Sequence, residues 1–206
     1  DTHPYLFKHF DLPAHPVSAR LYICGLGLYQ LELNGQKVSD EVLAPGCNAY
    51  DQWLQYQTYE LTQGLHAGTN QIAVMLGNGW YKGRYGLQRL ENAHTYGDQF
   101  ALICELHITL ETGEEMLLIT DNSWKAVPSP VLASSIYDGE VYDSRIPKPD
   151  GRNALFYEVK TAYLDIKKLE PRRSLPVSVN EEIKPVAVIR TPAGETVLDM
   201  GQNMVG

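Results

Sequence analysis

Residues 29–35 read Tyr-Gln-Leu-Glu-Leu-Asn-Gly, and this stretch decides the fold class. Tyr29, Leu31 and Leu33 alternate with polar residues, which is the period-two pattern of a strand buried on one face. The dipeptide Asn34-Gly35 then supplies the two positive φ angles of a type I′ turn, a strong short-range hairpin signal. The stretch therefore predicts a tight antiparallel hairpin.

The same alternation extends along much of the chain. Residues 100–110 alternate apolar and polar side chains, and two further apolar runs follow at 116–119 and 124–127. Further strands are expected at 5–10, 20–24, 55–61 and 154–166. No window of useful length has a helical periodicity. Regularly spaced strands joined by Gly- and Asn-bearing turns predict an all-β protein, an antiparallel β-sandwich.

A charged segment with two prolines, KKLEPRRSLP at 167–176, predicts a domain boundary. We expect a sandwich over residues 1–170. Residues 171–206 are expected to hold a linker and the first strands of a second β-domain, because roughly thirty residues are too few to close a sandwich. With no initiator Met and no natural terminus at either end, the chain is expected to be a piece of a longer protein.

Composition narrows the function classes. The net charge of -8 and the pI near 5.2 argue against a nucleic-acid or anionic-membrane partner, because no basic patch can neutralise phosphates. No stretch is long enough to span a bilayer. Cys24 and Cys104 fall in strand-like apolar runs and are expected to be buried thiols, whereas Cys47 does not. This use of cysteine favours a reducing compartment such as the cytoplasm.

A glycine-rich loop, GNGWYKGRYG at 77–86, follows the apolar run 72–76. Trp80, Tyr81, Arg84 and Tyr85 place flat rings and a planar cation at the end of a buried strand. Such groups stack on the apolar faces of sugars and bond hydroxyls, so these residues are candidates for carbohydrate binding or for a domain interface. The alternative is that Trp80 and Tyr81 cap the core. Lys82 is expected to be a solvated loop charge.

An acidic segment, SSIYDGEVYDSR, occupies residues 134–145. The further binding or interface candidates are Tyr137, Asp138, Glu140, Tyr142 and Asp143. Two of these carboxylates flanking an anomeric centre would suit a glycosidase, but acids this close together are also common in turns and Ca²⁺ sites. Because tyrosines alternate with the acids, ligand positioning or a domain contact fits them better.

The sequence offers no recognisable catalytic or metal motif. The six histidines are scattered without metal-ligand spacing, and no serine or cysteine lies in a nucleophile motif. We therefore assign no catalytic residue, no metal ligand and no cofactor, with a structural Ca²⁺ at the acidic segment left open.

Several segments, in order along the chain, resemble one known family. They are GLGLYQLELNGQKVSDEVLAPG (25–46), YQTYELT (56–62), LGNGWYKGRYG (76–86), DNSWK (121–125) and SSIYDGEVYDSR (134–145). Together they resemble the N-terminal β-sandwich module of bacterial α-L-rhamnosidases, glycoside hydrolase family 78. Residues 192–206, which contain DMGQN, resemble the start of the next β-domain of those enzymes.

The resemblance implies a galactose-binding-like jelly roll within a multidomain, inverting enzyme that removes terminal α-L-rhamnose. The catalytic carboxylates of the family lie in a downstream (α/α)₆ barrel, so this chain alone is expected to be inactive. The implied partners are a rhamnose-containing glycoside, through substrate recognition, and the barrel itself, through bracing. The alternatives are a purely structural module, an independent lectin-like domain and, on the acidic segment alone, a glycosidase.

Overall fold

The computed structural model describes residues 3–84, 94–147 and 156–204, and in them two five-stranded sheets enclose a common core. The first sheet has the spatial order β10 (Lys125–Pro128), β1 (Pro4–Leu12), β7 (Gly68–Gly77), β3 (Leu28–Leu33) and β4 (Gln36–Lys37). Its neighbouring strands are all antiparallel.

The second sheet lies on the other side of the core. Its order is β13 (Leu169–Pro171), β6 (Leu54–Glu60), β2 (Pro16–Leu26), β8 (Ala101–Leu110) and β9 (Glu115–Ile119). The pairs β6–β2, β2–β8 and β8–β9 are antiparallel, whereas β13 runs parallel to β6. The short parallel strand forms where the chain returns to the sandwich after leaving the first sheet.

Three two-stranded ribbons and a single helical turn complete the described structure. The ribbons are β11 (Val131–Ser135) with β12 (Gly139–Tyr142), β5 (Glu41–Val42) with β14 (Val177–Ser178), and β15 (Ala187–Arg190) with β16 (Thr196–Asp199). The helix α1 (Gly79–Lys82) lies in the glycine-rich loop, and 3₁₀ turns occupy Thr62–Gly64 and Ile166–Lys168.

The core forms because alternate residues of facing strands turn inward. Leu21 of β2, Ile72 and Val74 of β7, and Leu106 of β8 are fully buried and belong to one apolar cluster. Each such side chain contributes about 1.5–3 kcal/mol by leaving water. The all-β, predominantly antiparallel sandwich predicted from the alternation is thereby confirmed.

The predicted hairpin is present with its predicted turn. Asn34 and Gly35 have φ angles of 50° and 77°, and Leu33 pairs with Gln36 across the turn. Cys24 and Cys104 are buried, as predicted, and burial raises the pKa of each thiol to about 12.

The strand predicted at 154–166 is wrong over its described part, residues 156–166. Tyr157 makes one isolated bridge to Ala126 of the first sheet, and regular pairing resumes only at Leu169, opposite Leu54 of the second. The segment crosses from one sheet to the other, so it cannot follow the ladder of either. Alternation alone does not reveal such a crossing.

Candidate functional site

The glycine-rich loop and the acidic hairpin, distant in sequence, meet at one edge of the sandwich. We call residues 77–84 together with residues 131–142 the junction. Asn78 donates its side-chain amide to the carbonyl oxygen of Ser134 at 3.0 Å, and its backbone N–H to the Ser134 hydroxyl at 3.3 Å. Arg84 and Asp138 form a second link between the two segments. The structure therefore joins two sets of candidates that the sequence presented separately.

Local backbone geometry explains how the loop presents these side chains. Strand β7 ends at Gly77, and the chain turns at Gly79, whose φ is +53°. A side chain at Gly79 would place its Cβ 2.7 Å from Cγ of Leu28, so glycine fits both the conformation and the space. The backbone N–H of Lys82 then donates to the carbonyl of Asn78 at 3.1 Å, closing the turn of α1.

Arg84 and Asp138 form a two-pronged ion pair. The guanidinium donates from Nε to Oδ2 at 3.0 Å and from Nη2 to Oδ1 at 2.9 Å. The Ser135 hydroxyl donates to the same carboxylate at 2.9 Å, and the Arg84 guanidinium lies 4.7 Å from the centre of the Tyr137 ring. Hydrogen bonds from Arg84, and then from Ser135, lower the pKa of Asp138. The pair fixes the hairpin against the loop with the bidentate geometry that arginine favours.

Trp80 and Tyr81 lie against the outer face of the second sheet. Both are partly buried and pack on a cluster formed by Cys24, Tyr50 and Leu54. The Tyr50 and Tyr81 rings are 5.2 Å apart between centroids. The two side chains thus cover apolar surface at the end of β7, and their role in binding or at an interface stays a prediction. Tyr85 lies outside the described residues.

Two polar side chains at the junction, Lys82 and His3, are buried. The Lys82 side chain is 4% exposed, with Nζ 4.1 Å from the centre of the Phe100 ring, so the expectation of a solvated charge is wrong. His3 is 1% exposed, and its Nε2 lies 2.6 Å from the Ser134 hydroxyl. Burial, and then the nearby Lys82 charge, lower the pKa of His3 to about 4. His3 is therefore neutral near pH 7.

Sequence reasoning missed His3, Asn78 and Ser134. His3 was one of several scattered histidines, and no spacing links it to a residue 131 positions away. Asn78 sits directly after a buried strand, where a polar side chain is well placed to tie the loop to a neighbour, and this was the available signal. Among the residues that the structure describes, the buried Nδ1 atom of His3 and the buried Oδ1 atom of Asn78 have no hydrogen-bond partner.

The acidic residues point to positioning rather than proton transfer. Asp143 accepts from Nε and Nη2 of Arg145 at 2.8 and 2.6 Å, and these bonds lower its pKa. Asp138 is held by Arg84 in the same way, and Glu140 is exposed on β12. A catalytic general acid needs a raised pKa, which neither aspartate has. Within the described ranges, no group of three or more His, Cys, Asp or Glu residues is arranged to hold a metal ion.

The surface of the junction is apolar and aromatic. Tyr137, Val141 and Tyr142 are 47%, 56% and 58% exposed, and Leu132 on the facing strand is 38% exposed. Val141 and Tyr142 are successive residues of β12, so the ribbon exposes an apolar side chain on each of its faces. The junction thus combines an ion pair that holds it in place with a surface suited to a ring or to another protein surface.

Comparison with known proteins gives a consistent set of relatives. Residues 14–181 match the family model of the α-L-rhamnosidase N-terminal domain. The chain is 34% identical over 208 residues to an α-L-rhamnosidase of Streptomyces avermitilis, a match that covers 98% of this chain and 20% of that protein. An α-L-rhamnosidase of Formosa agariphila is 33% identical, with 98% and 22% covered. The chain thus spans about a fifth of the length of these relatives.

Solved structures agree with the sequence matches. The native α-L-rhamnosidase of Aspergillus terreus superposes with a TM-score of 0.92 at 36% identity, covering 98% of this chain and 24% of that one. The Streptomyces avermitilis enzyme, determined in complex with L-rhamnose, gives a TM-score of 0.88 at 32% identity, with 98% and 20% covered. Among the described residues, no helix has the length and apolar character to cross a membrane.

Proposed function

The chain belongs to the family of α-L-rhamnosidase N-terminal domains, and from this premise we propose that it is a non-catalytic module of an enzyme that hydrolyses terminal α-L-rhamnose from glycosides. The names of the relatives support the reaction, and the all-β fold supports a role outside the catalytic centre. The module acts through the junction, which faces either the catalytic barrel of the parent chain or the glycoside.

The observation that carries a bracing role is the exposed surface of the β11–β12 hairpin. Its strands pair with each other in a two-stranded ribbon, while Val141 and Tyr142 remain more than half exposed. The links from Asn78 to Ser134 and from Arg84 to Asp138 fix this ribbon to the sandwich. A fixed ribbon with an apolar surface is suited to pack on a neighbouring domain at little cost in ordering.

A matched pair of double variants in the parent enzyme tests the brace. Val141→Ser with Tyr142→Ser removes apolar surface from the hairpin, and Leu117→Ser with Ile119→Ser removes it from β9. The control residues are 58% and 43% exposed. We expect the hairpin variant to lower the melting temperature of the enzyme and the β9 variant to leave it within about a degree. If the hairpin variant and the unmodified enzyme have the same melting temperature, the bracing role is rejected.

Substrate recognition is a second role, favoured by Arg84 lying over the Tyr137 ring. The stack holds an exposed aromatic face beside hydrogen-bonding groups, an arrangement that suits a sugar ring. Calorimetric titration of the chain with L-rhamnose and a rhamnosyl disaccharide, with and without Ca²⁺, tests this role. Tyr137→Ala is expected to abolish saturable binding, while Phe156→Ala, which removes another exposed ring, retains it. If the folded chain gives no heat of binding at millimolar sugar, the role in substrate recognition is rejected and the bracing role remains.

For the end of the chain we propose that residues 171–206 lead into the next β-domain. The β15–β16 hairpin supports this proposal because both of its strands carry exposed apolar side chains, among them Val188 at 68% and Leu198 at 55%. Strands with apolar residues on both faces are typical of sheets covered on both sides. The chain that follows would supply those covering layers.

A further inference from the structure

A cavity of about 780 Å³ lies beneath residues 156–165, which we call the strap. Its floor includes Leu26 of β2 and Leu102 of β8, and Tyr157 and Leu164 of the strap line its roof. The described part of the junction contributes only Tyr81 to its lining. The cavity is therefore a space separate from the exposed hairpin surface.

The strap is held at both ends and near its middle. The Tyr157 N–H donates to the Ala126 carbonyl at 2.8 Å, and Leu169, just after the strap, pairs with Leu54. Between these points, the Thr161 hydroxyl donates to the Asn122 side-chain oxygen at 3.0 Å. The strap is thus tied to both sheets while it spans the start of β8, and the space beneath it is part of the fold.

The lining defines the chemistry of an occupant. Aromatic rings approach from four elements: Tyr81 of α1, Phe100 before β8, Trp124 before β10, and Tyr157 and Tyr163 of the strap. Rings in these positions offer edges and faces to a flat or cyclic molecule. The volume is within the range of about 300–1,000 Å³ that is usual for sites that bury a small ligand.

The charged groups of the lining are already paired with groups of opposite sign. Asp121 accepts from Lys8 at 3.3 Å, and Glu158 is 3.1 Å from Lys160. A charged ligand would have to compete with these pairs and lose its own hydration. An uncharged ligand avoids both costs. Gln99 lies at the cavity, and so does the Thr120 hydroxyl, which accepts from the Cys104 N–H at 3.3 Å and retains its own proton to donate.

We propose that this cavity is a binding site for an uncharged, ring-bearing small molecule, held between the strap and the start of β8. Its ring system lies among the five aromatic side chains, and its polar atoms face Gln99 and Thr120. This site is separate from the hairpin surface on which the proposed function depends, because Tyr81 is the one described junction residue in its lining.

The first test titrates the protein with N-phenyl-1-naphthylamine, an uncharged probe made of a naphthyl and a phenyl group, which fluoresces in apolar surroundings. We expect saturable binding together with energy transfer from tryptophan. Trp124 is 3% exposed and lines the cavity, so Trp124→Phe is expected to reduce the transfer while the probe still binds. Absence of saturable binding to the folded protein would overturn the proposal.

Filling the cavity tests the location of the probe. Ala101→Phe adds a ring inside the lining, and Val17→Phe adds the same ring to a surface position that is 56% exposed. We expect Ala101→Phe to weaken probe binding about tenfold or more and Val17→Phe to change it less than about twofold. Equal affinities for the two variants would place the probe elsewhere and overturn the proposal.

A second filling variant guards against misfolding of the first. Ala162→Phe changes an exposed strap residue that also lines the cavity, so it interferes little with the core. Loss of probe affinity in a variant with unchanged melting temperature supports the site, and full retention contradicts it. Tyr137→Ala, the junction variant, is expected to leave probe binding unchanged, which separates this result from the tests of the proposed function.

Discussion

The two five-stranded sheets and the β15–β16 hairpin are made of similar strands in opposite surroundings. Ile72 and Leu106, at the centres of β7 and β8, have no exposed surface, whereas Val186 and Val188 at the other end of the chain are 69% and 68% exposed. Strands β7 and β8 pair with their neighbours in antiparallel register, and so do β15 and β16 with each other. The difference shows that alternation of apolar and polar residues is enough for strands to pair, whereas burial of their apolar side chains requires a second layer for the strands to pack on.

The connection between these regions is polar. Arg172 forms an ion pair with Glu41, which also accepts from the Tyr59 hydroxyl at 3.0 Å. The Tyr59 and Tyr29 hydroxyls are 3.1 Å apart, and the backbone N–H of Arg173 donates to the Gln55 side chain at 2.7 Å. We call the Arg172–Glu41–Tyr59 group the latch. It holds the chain after β13 to the sandwich through directed hydrogen bonds instead of apolar area.

The largest effect is expected in the sandwich core. Leu106→Ala removes a fully buried side chain from the main apolar cluster and should lower the free energy of unfolding by about 2–5 kcal/mol. Denaturant unfolding measures this loss. As a control, Leu117→Ala on the neighbouring strand β9, where leucine is 58% exposed, should cost less than about 0.5 kcal/mol. Equal losses at the two positions would contradict the assignment of the core.

The features that the sequence predicts are those that depend on local pattern, and the features it does not predict depend on which segments the fold brings together. The Asn34-Gly35 hairpin and the buried Cys24 and Cys104 were predictable because each depends on local backbone preference or local alternation. The contact of Asn78 with Ser134 was not, because it depends on which loops the topology brings to one edge. The burial of Lys82 was missed for a related reason, since Phe100, which covers it, lies 18 positions along the chain.

The next largest effect is the pH dependence of stability that comes from the buried His3. It belongs to the sandwich and not to the end of the chain, because residues 171–206 contain no histidine. The pKa of His3 is about 4 in the folded protein, against an ordinary value of 6.5. The unfolded chain therefore takes up this proton first as the pH falls. The contribution of neutral His3 to the free energy of unfolding is fully present above pH 6.5. It decreases by about 3 kcal/mol as the pH falls to 4.

Unfolding curves of the protein and of His3→Gln between pH 4 and 7 test this dependence. The variant should lose less stability over this interval, since it removes the group that the unfolded chain protonates first. A His3→Gln curve parallel to that of the unmodified protein would show that His3 is not buried in its neutral form.

A smaller loss is expected at the latch. Arg172→Ala leaves the largely buried Glu41 carboxylate without its cation, and we expect a cost of about 1–3 kcal/mol because Arg172 itself keeps some contact with water. The adjacent Arg173 is a matched control, since its side chain is 74% exposed and Arg173→Ala should cost less than about 1 kcal/mol. Amide hydrogen exchange at Val177 and Ser178 should accelerate in the first variant only. Unchanged exchange there would show that the β5–β14 pairing does not need the latch.

The smallest change in the free energy of unfolding is expected in the β15–β16 hairpin, where it tests directly whether these strands lack a second layer to pack on. Val188→Ser changes a side chain that is 68% exposed, so the unfolding free energy of this chain should shift by less than about 0.5 kcal/mol. In the longer parent protein the same substitution should cost more than about 1 kcal/mol, because residues 171–206 are proposed to belong to a domain that covers this strand. Parallel unfolding measurements on the two forms give the difference directly. A cost that stays small in the parent would mean that Val188 faces water there too, and the proposal of a following β-domain built on this hairpin would have to be withdrawn.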